Sequence, residues 1–287
     1  MSVLEIKNIT KEYGATRALE DISLTIHENK IYGLLGRNGA GKTTLLNLMT
    51  SKLFPTAGEI TLDGEPIFEN DKALSRIFYM VEKNLYPESE KVKSIFKWTK
   101  LFYPDFDMDY AIALAQRFGL NINKKTKSLS TGYFSIFKVI LALASNAEFL
   151  LLDEPVLGLD ANHRSMLYKE LISNYNEKPK TIIISTHLIE EVELVLEEVI
   201  IIKEGRLIEK KSVEQLLQEA YTISGEASKV DEFLKNKKST DEEILGRFKA
   251  ATVFGSLTEE DRNLARQLEL EITKAELQKL FISLTNS

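Results

Sequence analysis

The most restrictive feature of the sequence is a glycine-rich segment, Gly36-Arg37-Asn38-Gly39-Ala40-Gly41-Lys42-Thr43-Thr44. It fits the pattern G-x-x-x-x-G-K-[ST] of a phosphate-binding loop. Glycines lack a Cβ atom, so the backbone can curl with its N–H groups pointing inward, and such a row of donors suits phosphate oxygens. Lys42 adds a positive charge for the β- and γ-phosphates, and Thr43 offers a hydroxyl to Mg²⁺. We therefore predict a nucleotide site that contains Gly36, Asn38, Gly39, Ala40, Gly41, Lys42, Thr43 and Thr44.

The flanking segments meet the requirement for a strand before the loop and a helix after it. Lys30 to Leu35 forms an apolar run that is typical of a short buried strand. Thr43 to Ser51 carries leucines and a methionine at helical spacing. The first turn of this helix would face the phosphates. An ordinary glycine-rich turn before a helix is the alternative interpretation.

Composition narrows the class of protein. The 287 residues suffice for one large domain or two smaller ones, and 44% of them are hydrophobic, which supports a normal core. A net charge of −6 gives no support to a nucleic-acid partner. The absence of cysteine excludes disulfides and thiolate chemistry. No apolar run approaches the roughly 20 residues that span a bilayer, and the first residues lack a signal pattern. We therefore expect a cytoplasmic protein.

A second group of candidate residues follows two apolar strands. Phe149 to Leu152 predicts a buried strand that leads to Asp153 and Glu154, and Thr181 to Thr186 predicts another that ends at His187. Ligands of open α/β sheets bind outside the carboxyl ends of the strands. Asp153 could hold Mg²⁺ through water, and Glu154 could polarise a water molecule against the γ-phosphate. An acidic turn and a structural histidine are the alternatives.

Other segments set the architecture. Residues 3–9 alternate apolar and polar side chains, which predicts an edge strand, and residues 11–14 predict a turn. Residues 84–127 predict a helical insertion whose aromatic side chains belong to the core or to a docking surface. Ser130 is a candidate N-cap of a buried helix that runs to about Ser145. Tyr13 fits either the core or a flat ring on which adenine stacks.

Taken in this order, the segments resemble the nucleotide-binding subunit of ABC transporters over residues 3 to about 215. The resemblance implies that Tyr13 stacks on the adenine of ATP, that Glu154 is the catalytic base and that His187 contacts the γ-phosphate. Asp160, in the segment Gly158-Leu159-Asp160, matches the dimer-contact loop of the family. The implied cofactors are ATP and Mg²⁺, and the implied metal ligands are Thr43, Glu82 and Asp153.

The sequence departs from the family pattern at two places. The usual signature L-S-G-G-Q reads Leu129-Ser130-Thr131-Gly132-Tyr133, and Glu82 stands where glutamine is usual. The residues Ser130, Thr131 and Gly132 would contact ATP that is bound by a second ATPase domain. The L-S-T-G-Y form resembles a Gram-positive subgroup of exporter-type ATPases, which often act on peptides or antibiotics.

The expected fold is α/β, with a P-loop NTPase core that has a mostly parallel sheet, an antiparallel β edge and a helical subdomain. We expect an ABC ATPase domain over residues 1–215, its helical subdomain at about 84–147, and a small α+β accessory or regulatory domain over 216–287. The expected protein is an ATPase that works as a homo- or heterodimer and powers transport through a separate membrane-spanning permease at the inner face of the cell membrane. A soluble ABC ATPase that acts on nucleic acid or ribosomes, and a regulatory module without hydrolysis, are the alternatives.

Overall fold

The computed structural model describes residues 2–235, 237 and 239–286. The chain divides into two compact units. The first comprises Met1–His187 and Ile202–Leu207, and the second comprises Leu188–Ile201 and Ile208–Ser287. The predicted boundary near residue 215 and the predicted helical subdomain at 84–147 stay predictions.

An antiparallel sheet forms one part of the first unit. Its strands are β1 (Val3–Tyr13), β2 (Thr16–His27), β4 (Ala57–Leu62) and β5 (Glu65–Pro66), in the order β2-β1-β4-β5. Because β1 pairs on both sides, the predicted edge strand is wrong. Alternating apolar and polar residues indicate that one face of a strand is buried. A central antiparallel strand with one solvent-exposed face gives the same pattern as an edge strand. The predicted turn at 11–14 is correct only at Gly14: β1 continues to Tyr13 with register shifts, and the turn to β2 lies at Gly14 and Ala15.

A parallel sheet forms the centre of the first unit. Its strands β3 (Ile31–Leu35), β6 (Ile77–Met80), β7 (Phe149–Asp153) and β8 (Thr181–Thr186) lie in the order β3-β8-β7-β6. Nearly every residue of these strands is buried, which explains why the sequence shows continuous apolar runs rather than alternation. The parallel pairing brings the carboxyl ends of β3, β7 and β8 to one edge.

Among the described residues of the first unit, the α-helices are α1 (Lys42–Leu48), α2 (Asp71–Leu74), α3 (Val92–Phe102), α4 (Met108–Arg117), α5 (Thr131–Ala144) and α6 (Ala161–Glu177). The predicted N-cap is confirmed, because the Ser130 hydroxyl accepts a hydrogen bond from the N–H of Tyr133. α5 is buried from Ser135 onward, as its apolar sequence predicts. The sequence interpretation missed α6, in which few positions are apolar.

The second unit contains α7 (Ile189–Val192) and a segment that alternates helices and strands. β9 (Glu198–Lys203) and β10 (Arg206–Ser212) form a hairpin that both units share, as the sequence predicts. The elements α8 (Val213–Gln218), β11 (Ala220–Glu226), α9 (Ala227–Leu234), β12 (Ser239–Leu245), β13 (Phe248–Phe254), α10 (Glu259–Gln267), β14 (Glu271–Lys274) and α11 (Leu277–Asn286) follow. The strands form an antiparallel sheet of order β12-β13-β11-β14 with its own core around Ile223 and Phe233. Across the described residues, no helix has the length and apolar character to cross a membrane.

Candidate nucleotide-binding site

A cavity of about 380 Å³ lies at the carboxyl edge of the parallel sheet. It brings together residues from four separate parts of the sequence. Its walls are Ala18, Arg37, Asn38, Gly39, Ala40, Gly41, Lys42, Thr43, Thr44, Glu82, Asp153 and Glu154. The loop between β3 and α1, the end of β7 and the residue that follows β6 by two positions therefore face one space.

The loop between β3 and α1 depends on glycine at two positions. Gly41 has a φ of 109°, in the left-handed region that side chains rarely adopt. A Cβ atom there would lie 2.6 Å from Leu19 Cδ2 and 2.8 Å from the carbonyl oxygen of Ala18. A Cβ atom at Gly36 would lie 2.7 Å from the carbonyl oxygen of Ile202. Both positions therefore require glycine. The first residues of α1, Lys42 to Thr44, line the cavity, and the N–H groups at a helix start have no partners inside the helix.

Lys42 carries the positive charge of the loop. Its side chain is 7% exposed, and Nζ donates hydrogen bonds to the carbonyls of Gly36 (2.6 Å) and Arg37 (3.3 Å). Burial lowers the pKa of the ammonium, and the charges of Glu154, Asp153 and Glu82 oppose that shift. The ammonium is therefore held at the loop by main-chain oxygens and lies in the field of three carboxylates.

Thr43 and Asp153 meet although 110 positions separate them. The Thr43 hydroxyl donates a hydrogen bond to Asp153 Oδ2 at 3.0 Å, and the Tyr79 hydroxyl donates to the same oxygen at 3.4 Å. Burial and the Asp153 charge raise the pKa of Tyr79, so its hydroxyl stays a donor. Hydroxyl and carboxylate oxygens are the ligands that Mg²⁺ prefers, and Mg²⁺ is usually held by few protein groups together with phosphates and water. Among the described residues, no group of three or more His, Cys, Asp or Glu side chains is arranged to hold a metal ion by itself.

Glu154 is held from two sides by the end of β8. Its Oε1 lies 2.9 Å from Nδ1 of His187, and its Oε2 accepts a hydrogen bond from the Thr186 hydroxyl at 3.2 Å. The N–H of Glu154 donates to the carbonyl of Ser185 at 2.8 Å. Its φ of 48° is unusual for a residue with a side chain, and such strain is found most often at functional positions. The carboxylate is therefore fixed in orientation at the cavity wall.

Glu82 reaches the cavity from an irregular segment after β6. Its side chain is exposed, while the carbonyls of Val81 and Glu82 each accept a 2.8 Å hydrogen bond from Nζ of Lys138 on α5. Lys138 is only 3% exposed, and burial lowers its pKa to about 8, against the charges of Glu82 and Asp153. The sequence does not predict this buried lysine, which bonds to the segment that carries Glu82, an expected metal ligand.

The segment Ser130-Thr131-Gly132 does not line this cavity. It packs within the chain against Gly158, where a Cβ atom would lie 2.9 Å from Thr131 Cγ2. Asp160 caps α6: its carboxylate accepts from the His163 N–H at 2.8 Å, and this bond lowers the pKa of the Asp160 carboxyl. The predicted ATP contacts of Ser130, Thr131 and Gly132 and the dimer contact of Asp160 stay predictions.

Tyr13 also lies outside the cavity walls. Its ring is 47% exposed at the end of β1, with Nζ of Lys11 5.1 Å from the ring centroid. The interpretation of Tyr13 as core is therefore wrong. An exposed flat ring is compatible with adenine stacking, which stays a prediction.

Five residues at the site were missed from the sequence: Ala18, Arg37, Tyr79, Lys138 and Thr186. Arg37 and Thr186 are adjacent to predicted residues, so their position carried a signal. Lys138 carried a weaker one, as the only charged residue in the apolar helix after Ser130. Ala18 and Tyr79 look like ordinary strand residues.

Comparison with known proteins agrees with this geometry. A family model described as ABC transporter matches residues 19–157. The ABC transporter ATP-binding protein YtrB of Bacillus subtilis (strain 168) is 31% identical over 221 residues, which cover 77% of this chain and 76% of YtrB. The bacitracin transport ATP-binding protein BcrA of Enterococcus faecalis is 33% identical over 218 residues, which cover 75% of this chain and 70% of BcrA.

The solved structure of an ATP-binding subunit of an ABC transporter has the same fold, with a TM-score of 0.68 at 22% identity. The match covers 75% of this chain and 91% of that chain. This likeness confirms the predicted α/β P-loop NTPase fold, and the sequence matches confirm the predicted family. The chain therefore belongs to the ATP-binding proteins of ABC transporters.

Proposed function

We propose that the protein hydrolyses MgATP in the cavity at the phosphate loop and that hydrolysis drives export through a separate membrane-spanning permease. The composition of the cavity carries the proposal. The loop donors and Lys42 face Asp153 and Glu154 across one space of about 380 Å³. Hydrolysis of a triphosphate needs positive donors for the phosphates beside a carboxylate that can orient water.

Each residue has a distinct role in this proposal. The N–H groups of residues 36–44 and the Lys42 ammonium hold the phosphates and stabilise charge that develops on them. Glu154 accepts the proton of the attacking water. His187, whose Nδ1 lies 2.9 Å from Glu154 Oε1, would fix the orientation of that carboxylate and contact the γ-phosphate. Tyr13 supplies a flat surface for adenine.

Thr43, Glu82 and Asp153 are the proposed residues for Mg²⁺. The 3.0 Å contact between Thr43 and Asp153 already gathers two oxygen ligands, and Glu82 lines the same cavity. When bound, Mg²⁺ would polarise the phosphate oxygens and neutralise their charge. Without a cation, three carboxylates near a triphosphate would repel it, and a bound divalent ion reverses this.

Two ATPase domains complete the site in our proposal. Ser130, Thr131 and Gly132 lie outside the cavity of their own chain, at the start of the 14-residue helix α5. A partner domain could apply this helix start to the γ-phosphate. Asp160 would lie at the contact between the two domains. The partner domain would belong to a second copy of this chain or to a homologous chain.

An apolar patch on α3 is the proposed contact for the permease. Trp98, Leu101 and Phe102 are 40%, 78% and 75% exposed, and exposed apolar groups of this size mark interaction surfaces. Docking there would hold the protein peripherally at the inner face of the cell membrane. The name of BcrA, a bacitracin transport ATP-binding protein, supports peptides or antibiotics as cargo, and the resemblance of the L-S-T-G-Y form to exporter-type ATPases supports export as the direction.

Residues 216–287 are proposed to form an accessory or regulatory domain. None of the residues that line the nucleotide cavity belongs to this segment. A chain that ends after Gln218 should keep its ATP affinity within about threefold, which nucleotide titration would measure. A complete loss of ATP binding by a folded truncated chain would contradict the proposal.

Replacement of Lys42 by alanine tests the ATPase assignment. Lys42→Ala should abolish detectable turnover and weaken MgATP binding at least tenfold, because it leaves phosphate charge without its counter-ion. Lys72→Ala, at an exposed lysine on α2, is the matched control and should leave both quantities unchanged. Wild-type turnover in Lys42→Ala would overturn the assignment.

Copurification tests the transport role. The full chain should copurify with a membrane protein, and Phe102→Ser should reduce the yield of that protein without changing ATP affinity. Association with nucleic acid or ribosomes instead would favour the soluble class of ABC ATPases.

A further inference from the structure

We propose that Lys138 is a positioning residue that fixes the main chain at Val81 and Glu82, so that the Glu82 carboxylate faces the metal side of the nucleotide cavity. The inference rests on the proposed function and adds to it a buried contact between α5 and the metal-binding segment. It assigns a role to the one charged side chain that α5 buries.

Lys138 forms two hydrogen bonds whose geometry defines the path of the chain after β6. Nζ of Lys138 donates to the carbonyls of two successive residues, Val81 and Glu82, at 2.8 Å each. Successive carbonyls of an extended strand point to opposite sides, so both can reach one ammonium only where the chain has left the strand. Lys138 therefore holds the turn that ends β6 and directs the chain at Glu82.

Burial of the Lys138 ammonium costs free energy of hydration. A lysine that is 3% exposed gives up its hydration, and such a group persists only when it is well bonded. The Phe134 ring, one turn earlier on α5, lies 5.4 Å from Nζ and adds a cation–π contact. The carbonyls of an irregular segment also need donors, and Lys138 supplies both.

The Lys138 contact connects α5 to the segment that carries Glu82. Ser130 caps α5 and belongs to the segment that is proposed to contact the second nucleotide, and Lys138 lies two turns further along the same helix. Glu82 lines the cavity with Thr43 and Asp153. Lys138 thus links two parts of the proposed site. One is α5, whose start would contact the nucleotide of the partner domain, and the other is Glu82, a proposed metal ligand at the nucleotide of this chain. Rings of Tyr86 and Phe137 pack 5.0 Å apart and give the segment a second, uncharged anchor on α5.

The test measures the gain in ATP affinity that Mg²⁺ provides, as the ratio of dissociation constants in EDTA and in Mg²⁺. Trinitrophenyl-ATP fluorescence with ATP as competitor gives both constants without relying on turnover. Lys138→Met should lower the ratio about tenfold, because two charge-assisted hydrogen bonds are lost and Glu82 is no longer held. In a Glu82→Ala background the same substitution should change the ratio less than twofold, since no carboxylate remains to be positioned.

The direction in which this ratio changes distinguishes a positioning role of Lys138 from a purely electrostatic one. If Lys138 acted only through its charge, removal of a cation near the metal site would strengthen Mg²⁺ binding and raise the ratio. A raised ratio, an unchanged ratio, or an equal fall in the Glu82→Ala background would each overturn the inference. Tyr86→Leu is the matched control, because it weakens the uncharged anchor of the same segment and should leave the ratio within twofold.

Two further measurements keep the test decisive. Trypsin cleavage after Lys83, next to Glu82, should be at least several-fold faster in Lys138→Met than in wild type. If Lys138→Met does not fold, Lys138→Gln keeps an uncharged amide donor group and should give a smaller fall of the ratio in the same direction. A wild-type chain that shows neither ATP binding nor turnover would overturn the proposed function and this inference together, whereas unaffected variants in an active chain would overturn the inference alone.

Discussion

The imidazole of His187 lies against the carboxylate of Glu154, with 2.9 Å between Nδ1 and Oε1. The two residues directly follow the neighbouring parallel strands β8 and β7, so the pairing of these strands brings them together. Thr186 donates to the second carboxylate oxygen, which leaves Glu154 little freedom to turn. A base that is fixed before substrate arrives loses less entropy in the reaction.

His187→Ala should therefore lower turnover about tenfold to a hundredfold, the effect of losing one hydrogen bond to a charged group. ATP affinity should stay within about threefold, because the phosphate loop is untouched. Steady-state kinetics and nucleotide titration measure the two quantities. His27→Ala, at the end of β2 and outside the cavity walls, is the control. Unchanged turnover in His187→Ala would contradict the role of His187.

The phosphate loop makes a second prediction, at Gly41. Gly41→Ala should weaken ATP binding at least about tenfold, because the new Cβ atom would meet Leu19 and the carbonyl of Ala18 in a backbone conformation that already disfavours alanine. Gly64→Ala is the matched control, since Gly64 has a φ of 82° with nothing within 4 Å of the new atom. It should cost about 1 kcal/mol of unfolding free energy and leave ATP affinity unchanged. Equal effects of the two variants on ATP affinity would refute the steric argument.

Lys180 makes a third prediction, on stability. It is 5% exposed, and Nζ has no hydrogen-bond partner among the residues that the structure describes. Burial lowers its pKa to about 8, and the charge of Lys178 acts in the same direction. The unfolded chain, with a pKa near 10.5, therefore binds more protons between pH 8 and 10.5, so stability should rise with pH across that window. Below pH 8 the full penalty for the buried charge remains.

Lys180→Met should therefore stabilise the protein at pH 7, by up to about 3 kcal/mol, and the gain should shrink by pH 10. Urea unfolding of wild type and variant at the two pH values measures this. The exposed neighbour provides the control, since Lys178→Met should change stability by less than about 0.5 kcal/mol. A destabilised Lys180→Met variant, or a gain that is equal at both pH values, would show that the ammonium has a partner in the folded protein.

The structural features that the sequence predicted correctly are those for which the residues allow few other structures. A loop with Gly36, Gly41 and Lys42 between a buried strand and a helix fits few other structures. Parallel strands that end at Asp153 and His187 must place both residues at one edge. The position of β1 within its sheet could not be predicted, because alternation shows which face of a strand is buried and not which strands pair with it.

Contacts between distant segments account for what the sequence left out. Lys138 lies 57 positions from Val81, and its role depends on a turn whose shape no local pattern encodes. Tyr79 reaches Asp153 across 74 positions and looks like any strand residue. α6 was missed because its buried positions, such as Leu167 and Leu171, are few among polar ones. For its N-cap, Asp160, the family resemblance implied a dimer contact, and the capping role was not predicted.

The most direct test of the account is Glu154→Gln. Glutamine keeps the size of the side chain and can still bond to Thr186, but it cannot accept the proton of water. The full chain with this substitution should bind MgATP with nearly wild-type affinity, hydrolyse it about 10²- to 10⁴-fold more slowly, and accumulate as a dimer on size exclusion in MgATP. Hydrolysis at the wild-type rate would contradict the assignment of Glu154 as the base, and with it the proposed mechanism.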